Sequence, residues 1–201
     1  KNGRLVYFSI SKFLNKQTIP SIDIIWKIHL YKDEVIFQSF DKAYVYKNKS
    51  LKILKAPTRF QFSFTVASKL YFQEVSKGLM EYRNGSLFLL PNTSALNNTE
   101  VWGIFKLSST QLLITTLDKG LFLYENQKLT PWNTEANVFI KKNSGLGGAS
   151  MKNKFFVLNS VLNGTIVCNK EGKIIQHLNR KKGLQNNTTL TSYIDHKNNL
   201  W

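Results

Sequence analysis

Short apolar runs recur along this chain, each about five residues long and closed by polar or turn-forming residues. Val35-Ile36-Phe37-Gln38-Ser39, Leu70-Tyr71-Phe72-Gln73-Glu74, Leu112-Leu113-Ile114-Thr115-Thr116 and Phe156-Val157-Leu158-Asn159-Ser160 are four runs of one kind. Runs this short, rich in β-branched and aromatic residues, predict strands. Three of them lead into a glycine turn, at Lys77-Gly78-Leu79, Lys119-Gly120-Leu121 and Asn163-Gly164-Thr165. Glycine suits such a turn because it takes positive φ without a steric cost.

A second signal follows each glycine turn. Asn2-Gly3-Arg4-Leu5, Asn48-Lys49-Ser50-Leu51 and Asn84-Gly85-Ser86-Leu87 are copies of one hairpin pattern, with Asn126-Gln127-Lys128-Leu129 and Glu171-Gly172-Lys173-Ile174 as looser ones. Their leucine-type positions lie 46, 36, 42 and 45 residues apart. An Asn-Gly pair between two apolar runs is a strong hairpin signal. A third element precedes each run: Ile24-Ile25-Trp26-Lys27-Ile28, Phe60-Gln61-Phe62-Ser63-Phe64, Asn97-Asn98-Thr99-Glu100-Val101 and Asn186-Asn187-Thr188-Thr189-Leu190. Each unit therefore holds four short strands. Only Asn133 to Lys142, through Glu135, Ala136, Val138 and Phe139, could carry a short helix.

Four strands per unit of about 36–46 residues predict an all-β chain, a β-propeller fragment built of four-stranded blades. A β-sandwich is the alternative, but it implies no regular unit of this length. The expected divisions are 1–20 as the end of a preceding blade, blades at 21–57, 58–96, 97–139 and 140–185, and the start of a further blade at 186–201. One blade cannot bury both its faces, so neighbours must cover each other. This is an expected arc of a longer protein. Val101 and Leu190 are expected to be buried inner-strand residues, and Asn84-Gly85 an exposed hairpin tip.

The last copy, Gly183-Leu184-Gln185-Asn186-Asn187 followed by Asp195-His196-Lys197-Asn198-Asn199-Leu200-Trp201, resembles the repeat of the two-component regulator propeller family. That repeat runs Gly-Leu-x-x-Asn, an inner strand, Asp, a Gly or Asn turn, then Leu-Trp. Gly120-Leu121-x-x-Tyr124 is similar to the family's Gly-Leu-x-x-Tyr hairpin, whereas Leu112-Leu113 and Phe155-Phe156 stand in for Leu-Trp in degenerate copies. The resemblance implies a ligand-sensing, extracytoplasmic propeller of a bacterial two-component or related transcriptional regulator. It implies a periplasmic location, with the cytoplasm as alternative. The implied partners are further blades and a triple-tyrosine domain of the same chain, with a homodimer also compatible, and a histidine kinase or helix-turn-helix output beyond.

Charge adds one question. Lys and Arg number 28 against 12 Asp and Glu, a net charge of +16. The lysines are scattered over turn-like sites such as Lys47-Asn48-Lys49 and Lys181-Lys182. A solvated basic surface accounts for that pattern, and nucleic acid is not expected as a partner. The single Cys168 can form no internal disulfide. Seven Asn-x-Ser/Thr triplets arise readily in a chain with 20 asparagines and carry no weight for location.

No catalytic site, metal site or cofactor is expected. His29, His177 and His196 have no metal-binding spacing. His29 reads as a hydrogen-bonded structural residue, and Asp195 beside His196 reads as turn chemistry. Gly145-Leu146-Gly147-Gly148 lacks the Lys-Ser or Lys-Thr of a phosphate loop and reads as an inner-strand entry. Binding is the expected function, at the central channel where the inner strands of a propeller converge. The second positions of those strands, Trp26, Gln61, Trp102, Gly147 and Thr191, are the candidates. Aromatic faces suit sugar rings, and an indole N–H supplies a donor. The ligand class is a small molecule or oligosaccharide. A protein-interaction scaffold with a plugged centre is the alternative.

Overall fold

A computed structural model describes residues 24–151 and 154–201; the expected blade end at 1–20 and the Asn2-Gly3-Arg4-Leu5 copy lie outside them. Four antiparallel sheets follow one another, each a meander of four consecutive strands. The first holds β1 (Lys27–Tyr31), β2 (Glu34–Gln38), β3 (Lys42–Lys47) and β4 (Ser50–Lys55). The second holds β5 (Phe60–Val66), β6 (Lys69–Glu74), β7 (Gly78–Arg83) and β8 (Ser86–Leu89). The third holds β9 (Val101–Lys106), β10 (Leu112–Thr116), β11 (Leu121–Glu125) and β12 (Lys128–Pro131). The fourth holds β13 (Gly145–Met151), β14 (Phe155–Ser160), β15 (Thr165–Asn169) and β16 (Ile174–Leu178). The helix α1 (Glu135–Asn143) lies between the third and fourth sheets, where the sequence allowed a short one.

Inner strands pack in series, β1 beside β5, β5 beside β9 and β9 beside β13. The chain is thus an arc of propeller blades. Each inter-blade gap has its own core. Tyr31, Ile36, Val45, Phe60, Leu70 and Tyr82 fill the first, and Tyr71, Leu79, Val101, Ile104, Ile114 and Phe122 the second. Leu113, Leu121, Phe156, Leu158 and Ile166 fill the third, together with Ala136 and Ile140 of α1. Cys168 belongs to that core, and burial pushes its thiol up to about 12.

Asparagine sets the outer hairpins. Asn48-Lys49, Asn84-Gly85 and Asn126-Gln127 hold positive φ at both central positions, 48° and 63°, 47° and 77°, and 48° and 62°. That is the two-residue turn whose twist matches an antiparallel pair, and asparagine tolerates its first position. Asn84 is exposed as expected, but Gly85 is buried, because Lys52 of the preceding blade lies over it.

A backbone stitch repeats between blades. At an equivalent place shortly after each second strand a carbonyl accepts a hydrogen bond from the segment that follows: Phe40 from Phe60 N–H (2.7 Å), Val75 from Asn98 N–H (3.2 Å), Leu117 from Gly145 N–H (2.8 Å) and, from a side chain in the last case, Val161 from Thr188 Oγ1–H (2.8 Å). The Asn97-Asn98-Thr99 and Asn186-Asn187-Thr188 segments therefore cross at equivalent places. Their side chains differ, since Asn186 Oδ1 accepts from Thr188 N–H, whereas the buried Asn97 Oδ1 has no partner. Residues 189–201 form a hairpin against the fourth sheet, with an antiparallel bridge between Ile194 and Leu200. Val101 is fully buried, but Leu190 is 70% exposed, since no described strand covers its face. Ile24, Trp26, Ile28 and Leu30 likewise present an open apolar face on the first sheet.

Candidate functional site

A groove of about 300 Å³ opens where the inner strands converge. It takes residues from five successive segments, among them Lys27, Phe62, Trp102, Gly147 and Thr191. Three of these sit at irregularities in the inner-strand ladders. In β5 the pairing jumps from Phe60↔Glu74 to Ser63↔Phe72, leaving Gln61 and Phe62 opposite Gln73 alone. In β13 it jumps from Gly145↔Ser160 to Gly148↔Leu158, leaving Leu146 and Gly147 opposite Asn159. In β9 Trp102 is the extra residue between Val101↔Thr116 and Gly103↔Thr115. A bulge re-aims the side chains beside it, and such bulges gather near binding sites. Here three in register build one wall of the groove.

The sequence candidates divide on this geometry. Trp102, Gly147 and Thr191 line the groove together. Gln61 does not: the bulge turns it toward the first blade, where it is buried, accepts a hydrogen bond from Arg59 Nη2 (3.0 Å), and its carbonyl accepts from Gln38 Nε2 (3.2 Å). Phe62 takes the place in the groove expected of Gln61. Trp26 also stands outside it, half-exposed on the open face of the first sheet and packed on Phe40 with ring centroids 4.7 Å apart. The alternation Phe60-Gln61-Phe62-Ser63-Phe64 hides the difference, because it reads as one face. The bulge instead sends Phe60 to the first gap and Phe64 to the second.

The Trp102 indole N–H is already engaged, donating to Glu100 Oε2 at 2.9 Å, so its aromatic surface is what it offers a ligand. Phe62 braces that ring at 4.8 Å between centroids. Thr191 and Lys27 are exposed and bring a hydroxyl and an ammonium to the groove. Gly147 and Gly148 line the groove without adding side-chain bulk to it. The arrangement can hold a ring against an aromatic floor with polar groups at its margin.

The remaining expectations fall in structural places. His29 is buried, its Nε2 bonded to Ser63 Oγ (2.6 Å) and its Nδ1 to Thr65 Oγ1 (3.0 Å) across the first gap. His177 packs edge-on to Phe139 and bonds the Asn163 carbonyl at 2.7 Å. Asp195 is the anchor of its hairpin, accepting from the backbone N–H groups of Lys197 and Asn199 and from Trp201 Nε1–H (3.1 Å). Gly145–Met151 is an inner strand. Among the described residues no group of three or more His, Cys, Asp or Glu is placed to hold a metal ion, and no helix is long and apolar enough to cross a membrane.

No family model matches this chain, and no curated protein matches it. Solved structures do. The extracellular domain of BT3049 from B. thetaiotaomicron, assigned to a hybrid two component system, is similar over 94% of this chain and 26% of its own, with a TM-score of 0.75 at 13% identity. The extracellular domain of BT4673 from the same organism, assigned to a one component system, is similar over 91% of this chain and 27% of its own, with a TM-score of 0.67 at 19% identity. The WD40 β-propeller domain of Doa1 is similar over 88% of this chain and 59% of its own, with a TM-score of 0.64 at 15% identity. The chain spans about a quarter of the two bacterial domains, and the likeness establishes the propeller fold.

Proposed function

We propose that this chain is a non-catalytic, ligand-sensing part of a propeller belonging to a bacterial signal-transduction regulator, on the extracytoplasmic side of the membrane. The observation that carries the reading is the groove, in which three register-matched bulges gather Phe62, Trp102 and Gly147 beside Thr191. A bulge re-aims the side chains beside it, and here three of them bring their residues to one groove. The fold likeness to extracellular domains assigned to one and two component systems supports the sensing role. The ligand is a small ring-bearing molecule or oligosaccharide, its flat face on Trp102 and its hydroxyls on Thr191 and Lys27. Further blades and a triple-tyrosine domain of the same protein would complete the sensor.

Thermal-shift and saturation-transfer screening of the chain against neutral oligosaccharides tests this reading. A bound sugar whose signal disappears in Trp102→Ala supports it. No response across the panel would favour a protein-interaction scaffold.

A further inference from the structure

The second blade breaks the pattern of its neighbours at one place. Across each sheet, paired residues form a row on the face toward the following blade: Ile36–Val45–Lys52 in the first, Leu113–Leu123–Thr130 in the third and Val157–Val167–Gln176 in the fourth. Two apolar residues lie inside and a polar one outside. In the second sheet the row is Tyr71–Glu81–Phe88. Its polarity is inverted, with a carboxylate that is only 5% exposed where the other blades place valine or leucine, and a half-exposed phenylalanine where they place a polar side chain. A buried carboxylate weakens a packing interface unless something else requires it.

This inversion coincides with a cleft of about 590 Å³ between the second and third blades, away from the inner-strand groove. Glu81 Oε2 accepts from Arg83 Nη2 at 2.6 Å, and its Oε1 lies 3.5 Å from Lys69 Nζ. Both basic side chains are about half-exposed, and Arg83 also stacks 5.8 Å from the Phe88 ring centroid. Across the whole lining two carboxylates, Glu81 and Glu125, stand against three cations, Lys69, Arg83 and Lys106, which leaves one positive charge. Glu125 is held at the far side by Thr110 Oγ1–H (2.7 Å) and Gln111 Nε2–H (2.9 Å). Tyr71 and Tyr124 face the same space from opposite blades, and neither hydroxyl has a hydrogen-bond partner among the described residues. Tyr71 is itself 96% buried, being 4% exposed, and lines the cleft from the second inter-blade core. Burial and the nearby Glu81 push it up to about 12, so it stays a donor. Phe88 and Leu89 give the cleft an exposed apolar lip.

We propose that this inter-blade cleft is a second ligand site, separate from the groove, that takes a small organic monoanion with an apolar body. Arg83 and Lys69 receive the anionic head, Tyr71 and Tyr124 donate hydrogen bonds to it, and the body packs on Phe88 and Leu89. Glu81 does not touch the anion. It fixes the guanidinium in place, as a positioning residue whose charge the ligand's charge complements.

The test titrates the 201-residue chain with 3-phenylpropionate, and with 3-phenylpropionamide as the neutral isostere, by calorimetry and ligand-observed NMR. The acid is expected to bind saturably and the amide about tenfold or more weakly. Tyr71→Phe and Arg83→Gln are each expected to weaken the acid by about tenfold, while Trp102→Ala leaves it unchanged, which separates this site from the groove. Glu81→Leu restores the row of the other blades and is expected to keep or raise the melting temperature while weakening the acid. Absence of saturable binding by the acid up to about 10 mM overturns the proposal. So does equal binding of the amide, binding indifferent to both Tyr71→Phe and Arg83→Gln, or a Glu81→Leu variant that melts lower and binds as before.

Discussion

The side-chain amide of Gln73 bridges to the backbone around Val101 in the next blade: Val101 N–H donates to Oε1 at 2.6 Å, and Nε2 donates to the Thr99 carbonyl at 2.7 Å. The residue at this place in each second strand is polar and fully buried, whether Gln38, Gln73, Thr115 or Asn159. Each reaches the segment that follows, Gln38 and Thr115 an inner strand at Ser63 Oγ and the Leu146 carbonyl (3.3 Å), and Asn159 the extended stretch after the fourth sheet at Ser192 Oγ (2.7 Å). The bulges leave backbone groups without ladder partners, and these side chains supply them. Gln73→Leu keeps the volume but strands buried donors and acceptors on both sides of the gap. It is expected to cost about 2–3 kcal/mol in urea unfolding; a change within experimental error would show the amide to be dispensable.

Val101 itself gives the severest single test of the blade stacking. It is fully buried in the second inter-blade core with Ile104, Ile114 and Leu79. Val101→Asp loses an apolar contribution of roughly 1.5–3 kcal/mol and adds an unpaired buried charge. The variant is expected to lose its cooperative thermal transition, followed by circular dichroism. A melt like that of the parent chain would remove Val101 from the core.

Acid should destabilise the arc in two windows. Burial, and then the nearby Lys27, lower the pKa of His29 from 6.5 to about 4. The unfolded chain therefore takes up this proton first, so the stability it represents is full above pH 6.5 and is lost as the pH falls through about 4. Burial works to raise the Glu74 carboxyl, but hydrogen bonds from Thr58, Ser76 and Arg59 outweigh it and hold the group at about 2, below its ordinary 4.5. Its contribution is full above pH 4.5 and fades toward pH 2. Urea unfolding between pH 7.5 and 3 is expected to show both limbs, with His29→Gln flattening the upper one and sparing the lower. An unchanged upper limb in that variant would assign the effect elsewhere.

Much of this architecture is legible in the chain because its turns are written locally. Asparagine at positions 48, 84 and 126 marks the outer hairpins, and glycines 78, 120 and 164, with φ of 114°, 86° and 74°, mark the inner ones. The blade length then follows from their spacing. The site is less legible, since a bulge is one added residue in a strand and leaves no composition of its own. Counting positions along Phe60-Gln61-Phe62 therefore picks Gln61, and only the three-dimensional pairing with Gln73 shows that Phe62 reaches the groove. Trp26 stands apart for another reason: it precedes β1, its N–H donates to the Gln38 carbonyl (2.8 Å), and its ring packs on Phe40 outside the groove lining. The Tyr71–Glu81–Phe88 inversion could be read from aligned repeats, but Glu81 looks like any surface carboxylate until its row is known.

Two adjacent glycines separate the groove's shape from the blade's stability. A Cβ on Gly147 would meet only the Trp102 carbonyl oxygen, at 3.2 Å, and would project into the open space of the groove. A Cβ on Gly148 would collide with the Val157 carbonyl, a backbone group of β14 that cannot swing aside, because Gly148 pairs with Leu158 in that ladder. Gly147→Ala, which requires the Trp102 carbonyl to give by a few tenths of an ångström, is accordingly expected to cost about 1 kcal/mol or less, yet to weaken any ring bound beside Trp102 by narrowing its slot. Gly148→Ala is expected to lose about 2 kcal/mol or more, as the clash forces β13 off β14. Urea melts of the two variants, read beside the sugar screen, check the pair. Equal destabilisation by both would mean that Gly147 is held as tightly as Gly148 and that the groove is packed rather than open.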